Sequence, residues 1–353
     1  MKVLVANRGE IAIRIMRACR EMGLESVAVY SECDRCASHV TYADEAYAIG
    51  ASEPKESYLS VDKILEVAES ADVWAVHPGY GFLSENGEFA ASVRAAGRVF
   101  VGPSADAIAL MGGKVAAREK AVAAGVPVVP GTGAPVDPAI SHDEMIALAS
   151  TIGYPLLVKA VAGGGGKGMR LVSEPSAITT AITTARSEAG SAFGDDAVYL
   201  ERQLQFPRHI EIQILADEYG TVVPFVEREC SIQRRYQKLV EESPASGMSL
   251  QRRTAMADAA VSIAKAVDYT NAGTVEFLVD ESGDFYFLEM NTRLQVEHGV
   301  TEAVTGVDLV RWQLRIAQGE KLDITLGHTL KPTGHAIECR VYAEDPDASF
   351  LPS

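Results

Sequence analysis

Apolar and polar positions follow two different rhythms along this chain, and the change between them divides it. Over the first hundred residues, short continuous apolar runs alternate with amphipathic stretches. Residues 3–6 read as a strand, Ile11, Ile15 and Ala18 mark one face of the helix that follows, and residues 26–30 form a second strand. Residues 73–76 and 99–101 continue the strands, with helices near 61–68 and 88–96 between them. Strands this short and continuous suit burial on both faces. The pattern therefore predicts an α/β unit, a doubly wound parallel sheet with helices on each side. The loop from His77 to Phe82 follows a strand end, where open sheets of this kind place their ligands.

A Pro- and Gly-rich stretch, 126–138, reads as a boundary. Beyond it come a helix at 142–152, a strand at 154–160, a glycine run and a strand at 169–172. From Val198 onward strands dominate, at 199–201, 209–215 and 222–227, with helices at 249–267 and 308–318. This half reads as α+β.

Two further strands, 274–280 and 285–291, flank the polar turn Glu281-Ser282-Gly283-Asp284. If Asp280 pairs with Phe285, Glu276 faces Glu289 directly, and Asn291 lies two residues along the same face. Like charges in directly opposed positions destabilise a sheet. An otherwise apolar hairpin should carry such a pair only if something positive sits between the carboxylates; the alternative is two solvated glutamates on an exposed face. Carboxylate and amide oxygens are ligands for hard cations, and Mg²⁺ is commonly held by one or two carboxylates together with substrate phosphates. The next residues place Arg293, Gln295 and Glu297 in one short stretch. An arginine fork grips planar oxyanions, and a neighbouring glutamate can take a proton from one.

The run Gly163 to Gly168 contains the letters G-x-G-x-x-G, but a strand and not a helix follows it, so a dinucleotide fingerprint is excluded. Lys167 is followed by Gly168 and the leading glycine is missing, which excludes a Walker A loop. A glycine-rich hairpin between strands is instead a mobile flap whose N–H groups close over phosphates, and Lys159 just upstream supports that reading. Residues 209–214 alternate His209, Glu211 and Gln213 with three isoleucines that face a core; the polar face is either functional or an exposed edge. Gln233 to Lys238 is a local basic cluster that is either a solvated loop or part of the same site.

Composition narrows the field. A chain of 353 residues with 47% hydrophobic content buries substantial cores and is long enough for two or three domains. Its net charge of −16 argues against nucleic acid as a partner. No apolar run approaches the length that spans a bilayer, and no signal peptide is evident, so the expected location is cytoplasmic. Five cysteines do not make a disulfide framework, and Cys33-x-x-Cys36 lacks the further ligands a zinc site needs.

Taken together, these motifs resemble the biotin carboxylase component of biotin-dependent carboxylases, of the acetyl-CoA and propionyl-CoA carboxylase type, within the ATP-grasp superfamily. The matching segments include 6–12, 77–86, Met111-Gly112-Gly113-Lys114, 163–170, 207–213, 230–245 and 289–298, so the resemblance runs the length of the chain. It implies a pre-ATP-grasp domain at 1–113 and an ATP-grasp domain at 114–353. Within the latter it implies a mobile glycine-rich lid at about 131–203 and an incomplete C-terminal subdomain at 204–353, because the family continues beyond Ser353. The implied reaction is phosphorylation of bicarbonate by ATP with two Mg²⁺ or Mn²⁺ ions, then transfer of the carboxyl group to biotin. Biotin would be a carried substrate on a separate carboxyl carrier protein or domain, for no Met-Lys-Met acceptor segment is present. A carboxyltransferase would complete the assembly, fatty acid biosynthesis is one setting, and a homodimer is implied.

Carried over position by position, the resemblance gives Lys114 and Lys159 to the phosphates, with Gly165 and Gly166 closing over them. Glu201, Arg202, Gln203 and Leu204 would line the adenine pocket, with His209, Gln233 and Tyr236 nearby. Glu276, Glu289 and Asn291 would hold metal; Lys238, Arg293, Gln295 and Val296 would hold bicarbonate. Glu297 would be the general base and Arg340 would stabilise the biotin enolate. Val161-Ala162, Tyr236 and Gly299 depart from the family pattern, the last where proline is usual, and Gly299 is expected to loosen a loop carrying Glu297. Two alternatives are another bicarbonate-activating ATP-grasp ligase, such as one forming carbamoyl phosphate, and a non-catalytic ATP-binding module.

Overall fold

The computed structural model describes residues 1–162 and 169–352. The chain begins β1 (Lys2–Val5), α1 (Gly9–Glu21), β2 (Glu25–Tyr30), α2 (Ser38–Tyr42), β3 (Glu45–Ala48), α3 (Val61–Ser70), β4 (Ala75–His77), α4 (Gly87–Ala95) and β5 (Val99–Phe100). All five strands are parallel in the order β3-β2-β1-β4-β5. Alternate residues of β1 point to opposite cores: Val3 and Val5 pack with α1, and Leu4 packs with Ile64 of α3 and Phe89 of α4. That is the doubly wound layering expected of continuous apolar strands. The strand order reverses between β1 and β4, and there Asn7 donates its side-chain amide to the carbonyls of Pro78 (2.8 Å) and Tyr80 (2.7 Å).

Helices α5 (Ala105–Gly112) and α6 (Lys114–Ala123) lead into α7 (His142–Ile152), whose Ser141–Glu144 capping box fixes its start. After α7 come β6 (Leu156–Ala160), β7 (Met169–Val172), α8 (Ile178–Phe193) and β8 (Val198–Arg202). The three strands form an antiparallel sheet, β7-β6-β8, and with α7 and α8 they enclose their own core around Leu156, Val158, Ile182 and Leu200. The Thr- and Ser-rich sequence of α8 hides it from periodicity arguments.

A larger antiparallel sheet follows. Its elements are β9 (Arg208–Ala216), β10 (Val222–Pro224), β11 (Arg228–Arg234), β12 (Gln237–Ser243), α9 (Leu250–Ala266), β13 (Asn271–Val279), β14 (Phe285–Asn291), α10 (His298–Thr305), α11 (Leu309–Ala317), α12 (Leu326–Thr329) and β15 (Ala336–Cys339). The path is β14-β13-β9-β11-β12-β15, with β10 also on β9. Strand β9 sits well inside, and both of its faces are buried: Ile210, Ile212 and Ile214 against α9, and His209, Glu211 and Gln213 on the other side. The polar face is therefore not an exposed edge. Helix α11 wedges Leu309, Val310 and Trp312 between α1 and the large sheet, so those two units share one core.

The β11–β12 hairpin replaces what the sequence shows only as a basic cluster. Its tip residues, Arg235 and Tyr236, have φ of 53° and 63°, the left-handed conformations of a tight hairpin turn without the usual Gly or Asn. Register shifts near Ile232 break the alternation that would reveal the strand.

Gly131 is required by close approach. Its backbone bridges Glu201, and a Cβ there would stand 2.3 Å from the Leu200 carbonyl oxygen. We expect Gly131→Ala to destabilise the chain by about 1–3 kcal/mol, the usual cost of overpacking. An unchanged urea midpoint would refute this.

Candidate active site

The hairpin of β13 and β14 does place Glu276 opposite Glu289, but by a different route from simple counting. At the tip Val279 pairs with Phe285 and Phe277 with Phe287, one residue out of step with the sequence expectation. A bulge at Leu288 then restores the register, so Glu276 faces Glu289 and Thr274 faces Asn291. On its other side Glu276 pairs with Glu211 of β9, and Glu211 with Arg228 of β11. Three carboxylates thus lie in one row across neighbouring strands, ended by an arginine.

What makes the row tolerable is Lys238, carried on β12. Its ammonium donates to Glu211 (2.7 Å), Glu276 (2.8 Å) and Glu297 (2.6 Å). Burial alone would lower the pKa of Lys238; the glutamates outweigh it and hold the amine charged, well above the usual lysine range. Glu276 also lies 3.0 Å from His209 Nε2, and its Oε1 accepts from Asn291 Nδ2 (2.9 Å) and Gln295 Nε2 (3.0 Å). Burial opposes ionisation of Glu276, yet Lys238 and His209 together keep it far below the usual carboxylate range. Arg228 is fully buried; it pairs with Glu211 and donates to Gln213 (2.9 Å), Thr301 (2.9 Å) and Thr274 (3.1 Å).

Glu289 behaves differently. It is exposed in the cleft and accepts no hydrogen bond among the described residues; desolvation by the cleft walls, followed by the charge of Glu276, pushes its carboxyl up to about 7. A carboxylate pair with one member satisfied and the other short of positive charge, beside the Asn291 amide, is a hard-oxygen set that fits a divalent cation. The triplet His209, Glu211 and Glu276 also brings ligand atoms together, but Lys238 and Arg228 already serve its carboxylates.

Glu297 begins α10 and is entirely buried. Its carboxylate receives Lys238 Nζ at 2.6 Å and Arg340 Nη2 at 3.0 Å, and Arg340 Nε also donates to Glu241 at 2.6 Å. The residue following His298, Gly299, lies inside the first turn of α10, so Glu297 stands at a helix start and not in a loop. Arg293 donates to Glu85 (2.9 Å), Gln295 (2.7 Å) and Asn291 (3.1 Å), which ties the Glu289–Gln295 segment to the parallel-sheet unit.

A cleft of about 890 Å³ opens between the three-stranded and the large sheets, with Glu211, Arg228, Glu241 and Glu297 buried behind its wall. Lys114, Lys159, Glu201, Arg202, Gln203, Leu204, His209, Gln233 and Tyr236 line one part of it. Lys238, Glu276, Glu289, Asn291, Arg293, Gln295, Val296 and Arg340 line the other. Glu201 pairs with both Arg118 and Lys159. Gly165 and Gly166 lie outside the described residues. Arg118, Glu211, Arg228 and Glu241 complete the site. Glu211 was visible in the alternation of β9; the others show no periodic signal, because each is one charged residue among many until the sheet brings it to a partner.

A parallel-sheet unit joined to an antiparallel sheet, with a small sheet across the cleft, is the layout expected of an ATP-grasp fold. A model described as the biotin carboxylase N-terminal domain matches residues 1–108, and one described as the carbamoyl-phosphate synthase L chain ATP-binding domain matches 113–325. A pyruvate carboxylase subunit of Methanothermobacter thermautotrophicus is 54% identical over the whole chain, which spans 71% of that relative. Biotin carboxylase of a Nostoc species is 53% identical, again over the whole chain and 78% of the relative. Two solved structures superpose on 99% of the chain. The Campylobacter jejuni biotin carboxylase complex with a β,γ-ATP compound has a TM-score of 0.93 at 46% identity and is covered to 77%. The biotin carboxylase domain dimer of Hydrogenobacter thermophilus 2-oxoglutarate carboxylase, with MgADP, ADP and bicarbonate, has a TM-score of 0.92 at 47% identity and is covered to 76%. The chain belongs to the biotin carboxylase family. No helix among the described residues is long and apolar enough to cross a membrane.

Proposed function

We propose that this chain uses ATP to activate bicarbonate and passes the carboxyl group to biotin on a carrier. The observation that carries the reading is the Lys238–Glu297–Arg340 chain: Lys238 and Arg340 line the cleft, and the buried Glu297 is held between them beside the row of carboxylates. Lys114 and Lys159 would neutralise nucleotide phosphates, and Glu201 to Leu204 would line the base. Burial lowers the pKa of Lys114, and the negative charge of a bound phosphate would oppose that shift and keep the amine charged. Lys238, Arg293, Gln295 and Val296 would orient bicarbonate while Glu297 accepts its proton, and Arg340 would offer fixed positive charge to the enolate of biotin. The metal, held by Glu276 and Glu289 with Asn291, would neutralise charge on the phosphates.

The division at 1–113 and 114–353, with a lid at about 131–203, is supported by the separation of the five-stranded, three-stranded and seven-stranded sheets. A carrier, a carboxyltransferase and a second copy of the chain are the proposed partners, and a cytoplasmic setting is consistent with the reading. The test is ADP release with Mg²⁺, with and without bicarbonate and free biotin. Dependence on both supports the proposal; indifference to both would end it. If an amine replaced biotin as acceptor, the carbamoyl-phosphate alternative would stand instead.

Glu289 supplies a pH prediction. Its carboxyl, raised to about 7, is protonated and a poor ligand below that value and charged above it. Affinity for Mg²⁺–nucleotide should rise as pH increases through about 7, and Glu289→Gln should flatten the rise. Isothermal titration at several pH values checks this, and a pH-independent affinity would be the contrary result.

A further inference from the structure

A second pair of opposed glutamates lies behind the site. Glu241 of β12 pairs directly with Glu338 of β15. Glu241 Oε1 accepts from Arg340 Nε, while its Oε2 is buried without a hydrogen-bond partner. Glu338 accepts no hydrogen bond among the described residues, and its Oε2 lies against Gly299 of α10, 3.3 Å from where a Cβ there would stand. Two opposed carboxylates, one with an orphaned buried oxygen, are each missing the same thing. A single proton on Glu338, donated to Glu241 Oε2, satisfies both groups at once and removes a like-charge contact.

We propose that Glu241 and Glu338 share one proton, and that this acid pair is the positioning device that keeps Arg340 directed at Glu297. The role in catalysis rests on the function proposed above; the shared proton does not. The charged groups around the pair are Glu297 at the start of α10, Arg340 just past the end of β15, Lys238 on β12 and Arg228 on β11. Glu242 alternates to the other face and takes His335 at 3.0 Å. Burial first, then Glu241 and Glu297, raise the Glu338 carboxyl to about 7, and Glu241 is raised as well, by burial before any other cause. With the proton in place, Arg340 divides its donors between Glu241 and Glu297. Once the proton is lost, Glu338 becomes a third anion beside the same guanidinium and competes with Glu297 for it. The device thus sets an upper pH limit on the orientation of Arg340.

The test combines a spectroscopic and a kinetic reading of the full chain. Infrared difference spectra from about pH 5 to about pH 9 should show protonated-carboxyl C=O intensity that fades as pH rises through about 7, and Glu338→Gln should remove the part of it that does not belong to Glu289, which Glu289→Gln identifies. Intensity missing from the wild type, or undiminished in Glu338→Gln, overturns the shared proton. Kinetically, Glu338→Ala should lower kcat/KM for biotin about tenfold, the worth of one hydrogen bond, with the KM for ATP unmoved. Glu338→Gln keeps a donor and should recover most of that loss, and its alkaline decline should be shallower than that of the wild type. Equal kinetics in the two variants would overturn the positioning role. Thermal melts of both variants separate these outcomes from unfolding. A wild type with the band but no biotin-dependent turnover would refute the proposed function and the role of Arg340 while leaving the proton in place.

Discussion

Glu297→Gln should lower bicarbonate-dependent ADP release by about 10²–10⁴-fold, the range a positioned general base contributes. The side chain is completely buried and its two oxygens are held by Lys238 and Arg340. Glutamine preserves the shape and one acceptor, so the geometry of α10 and β12 should survive. What it loses is proton affinity, together with the negative charge that keeps Lys238 and Arg340 side by side. Because the nucleotide side of the cleft is built from β6, β8 and the near end of β9, nucleotide affinity should change little. Equilibrium binding of ATP alongside steady-state ADP release reads both quantities. Turnover within a few-fold of wild type would remove Glu297 from the role of base, and a parallel loss of nucleotide affinity would point to collapse of the site.

Arg228→Leu should be the most damaging substitution for stability, at about 3–5 kcal/mol, the usual cost of removing one partner from a buried ion pair. Arg228 has no exposed surface, and its guanidinium serves Glu211, Gln213, Thr274 and Thr301, which lie on three different elements. Its loss leaves Glu211 with Lys238, already shared with Glu276 and Glu297, and with His209 at 3.8 Å. Burial favours the neutral form of Glu211, but Arg228 and Lys238 outweigh it and hold the pKa well below the ordinary value. A depressed folded-state pKa adds stability that is present in full above the unfolded value of about 4.3 and is lost as pH falls below it. The wild type should therefore lose this contribution in acid, whereas Arg228→Leu has already lost most of it at neutral pH. Denaturant melts of Arg228→Leu, Glu211→Leu and the double variant form a cycle whose coupling term should be large. Additive losses would show that the two side chains stabilise the fold independently.

Much of this site could be read before the structure, and the reason is regularity. Strands of β13 and β14 alternate cleanly, their turn is marked by Gly283, and the opposition of Glu276 and Glu289 follows from counting. The counting reaches the right pair only because a bulge at Leu288 cancels an error of one residue at the tip, and no periodic signal announces a bulge. The β9 face was legible as polar, but not as buried, since burial depends on the strands beside it. The β11–β12 hairpin escaped because its register shifts destroy the alternation and its turn uses Arg235 and Tyr236 where glycine or asparagine is customary. Arg228 escaped for a related reason: at the start of a bulged strand, nothing local distinguishes a buried arginine from a solvated one.

The distribution of apolar cores also has a mechanical consequence. Helix α11 fuses the parallel sheet to the large antiparallel sheet through one continuous core, so the floor of the cleft resists shear as a single block. The three-stranded sheet with α7 and α8 encloses a separate core and meets that block along β8, where Arg202 N–H bonds Pro130, Thr132 N–H bonds Leu200 and Gly131 bridges Glu201. A tilt about that line would leave both cores intact and displace Lys159 and Glu201 relative to Lys238 and Glu297. Stiffening the seam at residues 130–132 would thus bear on the spacing between the two halves of the cleft without touching either one.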